Sequence, residues 1–233
     1  MKSRLLLMAA FLLTCSTSFA HMLWIETAGQ GTKGKAQTVK VFYGEYSEHN
    51  PEKVADWYSN VKEFTLWLTG PDNEKTKLTV TQVGEHFEAT FTPTTDGQYT
   101  LAISQDAKDL GGETKYQFNT YAIVNVGKPS VANLTGELTV APAQVAQKAN
   151  QPMQLKATFQ GKPAAGIQIA VFSPSGWNRE VVTDANGVAT FTPIWAGTYM
   201  IEASKMGDET GEIAGKEYKK VWRNAAIAVD IAK

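Results

Sequence analysis

The feature that most constrains this chain is a repeat of its own sequence. Phe91-Thr92-Pro93, followed by Gly97 and Tyr99, returns as Phe191-Thr192-Pro193, followed by Gly197 and Tyr199, and Ser104 and Ser204 close the matching stretches. The offset between the copies is 100 residues, the usual length of one immunoglobulin-like sandwich. Long helical periodicity is absent outside the first twenty residues. The pattern therefore predicts an all-β chain: two tandem immunoglobulin-like β-sandwich domains after a cleavable signal peptide.

Alternation along the chain agrees. Val39/Val41/Tyr43, Phe64/Leu66/Leu68, Leu78/Val80, Phe87/Ala89/Phe91 and Tyr99/Leu101/Ile103 repeat with period two in the first half. Met153/Leu155/Ala157/Phe159, Ile167/Ile169/Val171 and Tyr199/Ile201/Ala203 do so in the second. Such alternation marks half-buried strands, and Asp72-Asn73, Asp96-Gly97 and Asn186-Gly187 supply turns between them. Gly127-Lys128-Pro129-Ser130 interrupts two strand-like runs. The expected division is a signal peptide over 1–20, a first sandwich over 21–127, a linker over 128–135 and a second sandwich over 136–233. The long irregular stretch Gly44 to Val61 is the expected functional loop, and Asn50 followed by Pro51 predicts one or two helical turns to Trp57.

Residues 1–20 read as an export signal. Lys2 and Arg4 precede an apolar run, Leu5 to Leu13, and Ser18-Phe19-Ala20 is a small-x-small exit. The run is too short to span a bilayer, so the mature form is expected to be periplasmic without direct membrane insertion. Lipidation at the only cysteine, Cys15, fits poorly because Thr14 precedes it. Loss of Cys15 with the signal leaves no thiol, so metal ligands would have to be histidine, methionine, carboxylate or amine. Removing Lys2 and Arg4 leaves 20 basic against 23 acidic side chains, a balance that argues against nucleic acid as a partner.

Cleavage after Ala20 would make His21 the first residue, presenting a free α-amine and an imidazole to one ion; that amine titrates about a unit above neutrality. The other histidines are His49, in the long loop, and His86, which strand alternation places with Glu88 on the face opposite Phe87, Ala89 and Phe91. Taken singly, each histidine also reads as an ordinary solvated side chain. Together with Glu45 and Glu88 they form the candidate metal set: His21, His49, His86, Glu45 and Glu88. Nitrogen and oxygen donors without thiolate suit a divalent transition metal ion, nickel, cobalt, copper or zinc, better than calcium or magnesium. Imidazoles bind metals when neutral, so affinity is expected to fall in acid. A phosphate-binding glycine loop and a Gly-x-Ser-x-Gly elbow are missing. Ser173-Pro174-Ser175-Gly176-Trp177 and Trp195-Ala196-Gly197 are aromatic turns that fit either a sandwich corner or a surface for sugar or protein.

Ala20-His21-Met22-Leu23-Trp24-Ile25-Glu26, Gly44-Glu45, Asn50-Pro51-Glu52-Lys53-Val54 and Phe64-Thr65-Leu66 resemble a bacterial periplasmic family of unknown-function domains whose members are described as periplasmic components of cobalt or nickel uptake. The resemblance implies a histidine after the signal, matched by His21, and a Gly-His pair where this chain has Gly44-Glu45. Glu45 then replaces the second histidine, or His49 supplies it. It also implies, in some members, a histidine after a Tyr-x-x-Glu strand, where this chain reads Tyr199-Met200-Ile201-Glu202-Ala203-Ser204-Lys205-Met206. The second half, with Gly161-Lys162-Pro163-Ala164-Ala165-Gly166, Thr183-Asp184-Ala185-Asn186-Gly187 and Gly197-Thr198-Tyr199, resembles carboxypeptidase-regulatory and transthyretin-like modules, which implies a scaffold role. The leading expectation is a non-enzymatic periplasmic metal-binding accessory protein that serves a membrane metal transporter. The alternatives are a metal-free envelope module contacting polysaccharide or protein, and an oxidative copper enzyme, which would need a second histidine beside His21.

Overall fold

A computed structural model describes residues 21–48 and 50–233; the proposed signal, Cys15 and His49 lie outside them. The chain is almost entirely β, in sandwich-like layers. One sheet contains β1 (Met22–Glu26), β3 (Gln37–Glu45), β8 (His86–Phe91) and β7 (Thr81–Val83) in that order, with β4 (Asn50–Pro51) beside β3. A second runs β11 (Leu138–Pro142), β13 (Met153–Phe159), β14 (Lys162–Pro163), with β17 (Val188–Phe191) on β13.

Between them lies a ten-stranded sheet. Its order is β16 (Asn178–Val182), β15 (Gln168–Phe172), β18 (Gly197–Gly207), β21 (Lys220–Ala232), β10 (Thr114–Val126), β9 (Gly97–Asp106), β5 (Trp67–Thr69) and β6 (Lys75–Lys77). The short strands β2 (Gln30–Gly31) and β12 (Gln147–Lys148) flank β10 and β21, and β19 (Gly211–Ile213) with β20 (Lys216–Tyr218) forms a separate hairpin.

The sequence repeat has a structural counterpart. The Tyr99 hydroxyl accepts from the backbone N–H groups of Thr94 and Thr95, each at 3.1 Å, and the Tyr199 hydroxyl accepts from that of Trp195 at 3.2 Å. The rings of Phe91 and Phe191 pack 5.7 and 6.0 Å from their tyrosines. Each half thus closes its corner with the same tyrosine lock.

The two halves are joined by the parallel pairing of β10 with β21, from Thr114↔Lys220 to Tyr121↔Ile227. Phe118, Ala122, Val124 and Val126 of β10 enter one hydrophobic core, whereas Ala225, Ile227, Val229 and Ile231 of β21 enter the other. Phe118 pairs with Asn224, and Tyr121, in the second core, pairs with Ile227. Side chains alternate along a strand, so the two cores lie on opposite faces of one continuous sheet. Within residues 128–135, Ser130 is tied to the first half, where the Gln98 side-chain amide donates to Ser130 Oγ at 2.9 Å and the Ser130 N–H donates to Asn125 Oδ1 at 3.3 Å, while Ala132 and Leu134 pack against the second core.

β1 is wedged at this junction and is buried on both sides. Leu23 and Ile25 enter the first core, while Met22 and Trp24 pack against Met200 of β18 and Ala226 of β21. Four successive side chains are 4% exposed or less, which explains an apolar run that does not alternate.

The expected helical turns from Pro51 do not form as such. Asn50 and Pro51 pair with Glu45 and Gly44, and a single 3-10 turn follows at Val54–Asp56 with no side-chain cap. A proline without its N–H is tolerated at a short edge strand, and sheet pairing outweighs the local helix signal here.

Trp24→Ala is expected to destabilise the protein by about 3–5 kcal/mol, the usual cost of emptying a buried aromatic site. Urea unfolding followed by circular dichroism checks this. Wild type is expected to unfold with coincident fluorescence and dichroism transitions, because β10 and β21 tie both cores to one sheet.

Candidate functional site

His21 lies immediately before β1, at the rim of the first sheet. Its Nε2 is 2.6 Å from Glu52 Oε1, and its ring stacks on Tyr43 with centroids 5.6 Å apart. Three local features hold that pair. Tyr43, buried in the first core, is also in ring contact with Trp57 and Phe118. The Glu52 N–H donates to Tyr43 O at 2.9 Å, and Trp57 Nε1 donates to Glu52 O at 3.1 Å, so the backbone bearing the carboxylate is fixed from both directions. Gly44, with φ of 143°, permits the close approach, since a Cβ there would come 2.9 Å from the Glu52 nitrogen. Burial pushes the Tyr43 phenol well above its usual pKa, and the Glu52 charge pushes it further. Tyr43 is therefore a neutral platform under the imidazole.

His86 is elsewhere. Its ring stacks on Phe42 at 4.8 Å, Phe42 stacks on Trp24 at 5.4 Å, and its Nε2 is 2.9 Å from Glu88 Oε1. Trp24 pairs with Phe42 and Leu23 with Tyr43 across β1 and β3. Tyr43 faces the first core, whereas Trp24, with Phe42 packed on it, faces the second half. His21 and His86 are thus on opposite faces of the first sheet, and the structure does not bring them together as one ligand set. Period two accounts for this, because His86 shares its face with Glu88 while His21 shares its face with Leu23 and Tyr43. The His86–Glu88 pair forms as the alternation predicts, with Lys40 Nζ 3.5 Å from the same carboxylate. The hydrogen bond from His86 holds the Glu88 carboxyl below the usual range, with Lys40 assisting.

Glu45 turns toward the other half of the molecule. Its Oε1 accepts from Ser47 Oγ at 3.0 Å, and its charge acts on Glu202 of β18. Glu202 is buried and accepts from Asn224 Nδ2 at 3.0 Å. Burial raises its pKa to about 7 against the opposing hydrogen bond, with Glu45 adding to the rise. Among the described residues, no group of three or more His, Asp or Glu side chains is gathered closely enough to hold a metal ion. What the fold does assemble is two separate histidine–carboxylate pairs, His21 with Glu52 and His86 with Glu88.

Glu52 falls in the long loop from Gly44 to Val61, where no sequence pattern singles it out as a partner for His21. Its position follows from Asn50–Pro51 folding back on Gly44–Glu45, and the proline that suggests a helix start conceals that pairing. Glu202 and Asn224 come together across β18 and β21, which no local pattern reports.

Residues 18–207 match the family described as a domain of unknown function, DUF4198. The chain belongs to that family. The DUF4198 match contains the whole His21–Glu52 arrangement, the His86–Glu88 pair and most of the second half, ending at Gly207 with β18. Comparison with curated proteins finds no match.

Glu202 carries a pH signature. A carboxyl with a pKa above its ordinary value of 4.5 keeps a proton in the folded state that the unfolded chain has released. Stability therefore falls as pH rises from about 4.5 to about 7 and is level above that. Glu202→Gln, which keeps an acceptor for Asn224, is expected to remove this slope. The variant should match wild type at pH 4 and exceed it at pH 8 by roughly 3 kcal/mol at most, at 1.36 kcal/mol per unit. Urea titrations at the two pH values measure the difference.

Proposed function

We propose that the mature protein is a periplasmic, non-enzymatic metal-binding accessory protein. It takes up a divalent transition metal ion, nickel, cobalt, copper or zinc, at His21 and passes it to a membrane metal transporter. The observation that carries this reading is the 2.6 Å contact between His21 Nε2 and Glu52 Oε1. With Nε2 engaged by a carboxylate, Nδ1 is the ring nitrogen left for a metal. Nδ1 and an α-amine freed by cleavage after Ala20 close a six-membered chelate ring around one ion. A carboxylate on the far nitrogen of a ligating imidazole fixes its tautomer and strengthens it as a donor.

The surroundings support the same use. The imidazole rests on Tyr43, and β1, which starts at the next residue, is anchored on both faces. One residue then supplies two nitrogens, and further ligands come from the loop after β3, where His49 is the sequence candidate. His86, Glu88 and Glu45 are not needed for this chelate.

Calorimetric titration of the protein beginning at His21 with copper and nickel tests the proposal. His21→Ala is expected to abolish binding, Glu52→Gln to weaken it by 10- to 100-fold, and His86→Ala to leave it unchanged. Unweakened binding in Glu52→Gln, or loss in His86→Ala, would contradict it.

One observation favours a second reading, a metal-free envelope module contacting polysaccharide or protein. Trp195 is 42% exposed, lies 5.7 Å from Trp177, and is preceded by Ile194, which is 50% exposed. On that reading, added metal leaves the melting temperature unchanged.

A further inference from the structure

The pairing of β10 with β21 stops at Tyr121↔Ile227, after which the two strands part. β10 continues beside β2, with Asn125 pairing with Gln30, and β21 continues beside β12, with Ile231 pairing with Gln147. A fork opens between them. Two adjoining clefts occupy it, of about 390 and 270 Å³, sharing Gly29, Ile123, Ala228 and Asp230 in their walls. The larger is within the size range of small-ligand sites.

Half-buried Ile123, Ala228 and Tyr46 are among the lining of the larger cleft. Its charged groups are Glu26, just past the wedge of β1, and Asp230 of β21; among the described residues no lysine, arginine or histidine lines either cleft. Both carboxylates are held through one oxygen. Trp24 Nε1 donates to Glu26 Oε1 at 3.0 Å, and Thr198 Oγ1 donates to Asp230 Oδ1 at 2.7 Å. The second oxygen of Asp230 is kept open by Gly29, where a Cβ would approach Oδ2 to 3.3 Å.

We infer that this fork is a binding site for a small organic cation, an ammonium group carried on a short apolar or aromatic body. The ammonium donates to the carboxylates of Glu26 and Asp230. The body lies against Ile123 and Ala228, with Tyr46 offering a ring to the cation. An anion would meet two carboxylates with no opposing charge in the walls. The site is separate from His21: neither His21, Tyr43 nor Glu52 lines either cleft, and Glu26 stands at the opposite end of β1, so the two can be tested apart.

The probe is 2-phenylethylamine, titrated calorimetrically into the protein beginning at His21, with 2-phenylethanol and 3-phenylpropionate as neutral and anionic counterparts. The amine is expected to bind with one-to-one saturation, the alcohol at least tenfold more weakly, and the carboxylate not at all. Asp230→Asn and Glu26→Gln, which preserve the acceptors for Thr198 and Trp24, should each weaken the amine about tenfold. Gly29→Val should block it, with melting temperatures of the free variants confirming that they fold. His21→Ala should leave amine binding unchanged. Equal binding of the three probes, an amine affinity untouched by Asp230→Asn, or displacement of the amine by millimolar calcium would each overturn the inference, the last in favour of a metal site.

Discussion

The double burial of β1 is the contact on which the rest of the arrangement depends. A strand at the edge of a sheet ordinarily buries one face and exposes the other. Here Leu23 and Ile25 fill the first core while Met22 and Trp24 close the gap to β18 and β21. The apolar area removed from water along these four residues is worth several kcal/mol at about 25 cal/mol per Å². It also fixes the geometry of everything adjoining the strand. His21 is held at its start, Glu26 stands at its end beside the fork, and Trp24 reaches both Tyr46 and Phe42.

The continuous sheet gives this wedge its purpose. Equivalent strands of the two repeats meet as a parallel pair with their cores on opposite faces, so neither half covers the junction by itself. β1 covers one side of it. Buried polar groups complete the seam: Asn119 Nδ2 donates to Asn224 O at 2.8 Å, and Asn224 in turn donates to Glu202. A polar seam between two apolar cores specifies the register of β10 against β21, because a shift by one residue would strand these groups without partners.

Much of the fold was legible in the sequence. The Phe-Thr-Pro repeat with its tyrosines marks two equivalent corners, and alternation places His86 with Glu88 correctly on the face away from the first core. The parallel joining of residues 114–121 with 220–227 was not legible, because a pairing across more than 100 positions leaves no periodic trace in either strand. The candidate site was readable only in part. His21 stands out by its place before the run Met22-Leu23-Trp24-Ile25, but its partner Glu52 depends on a fold-back that Asn50-Pro51 disguises. The separation of His21 from His86 follows from strand parity once Tyr43 and Phe42 are assigned to their faces, and that assignment needs the pairing of β1 with β3.

On the proposed reading, a free α-amine at His21 completes a chelate on an imidazole already oriented by Glu52. Copper titration of two otherwise identical proteins, one beginning at His21 and one carrying a single additional alanine before it, tests that claim most directly. Tight one-to-one binding is expected of the first and a loss of at least 100-fold in the second, since the added residue converts the amine to an amide. Equal affinity in the two proteins would contradict it.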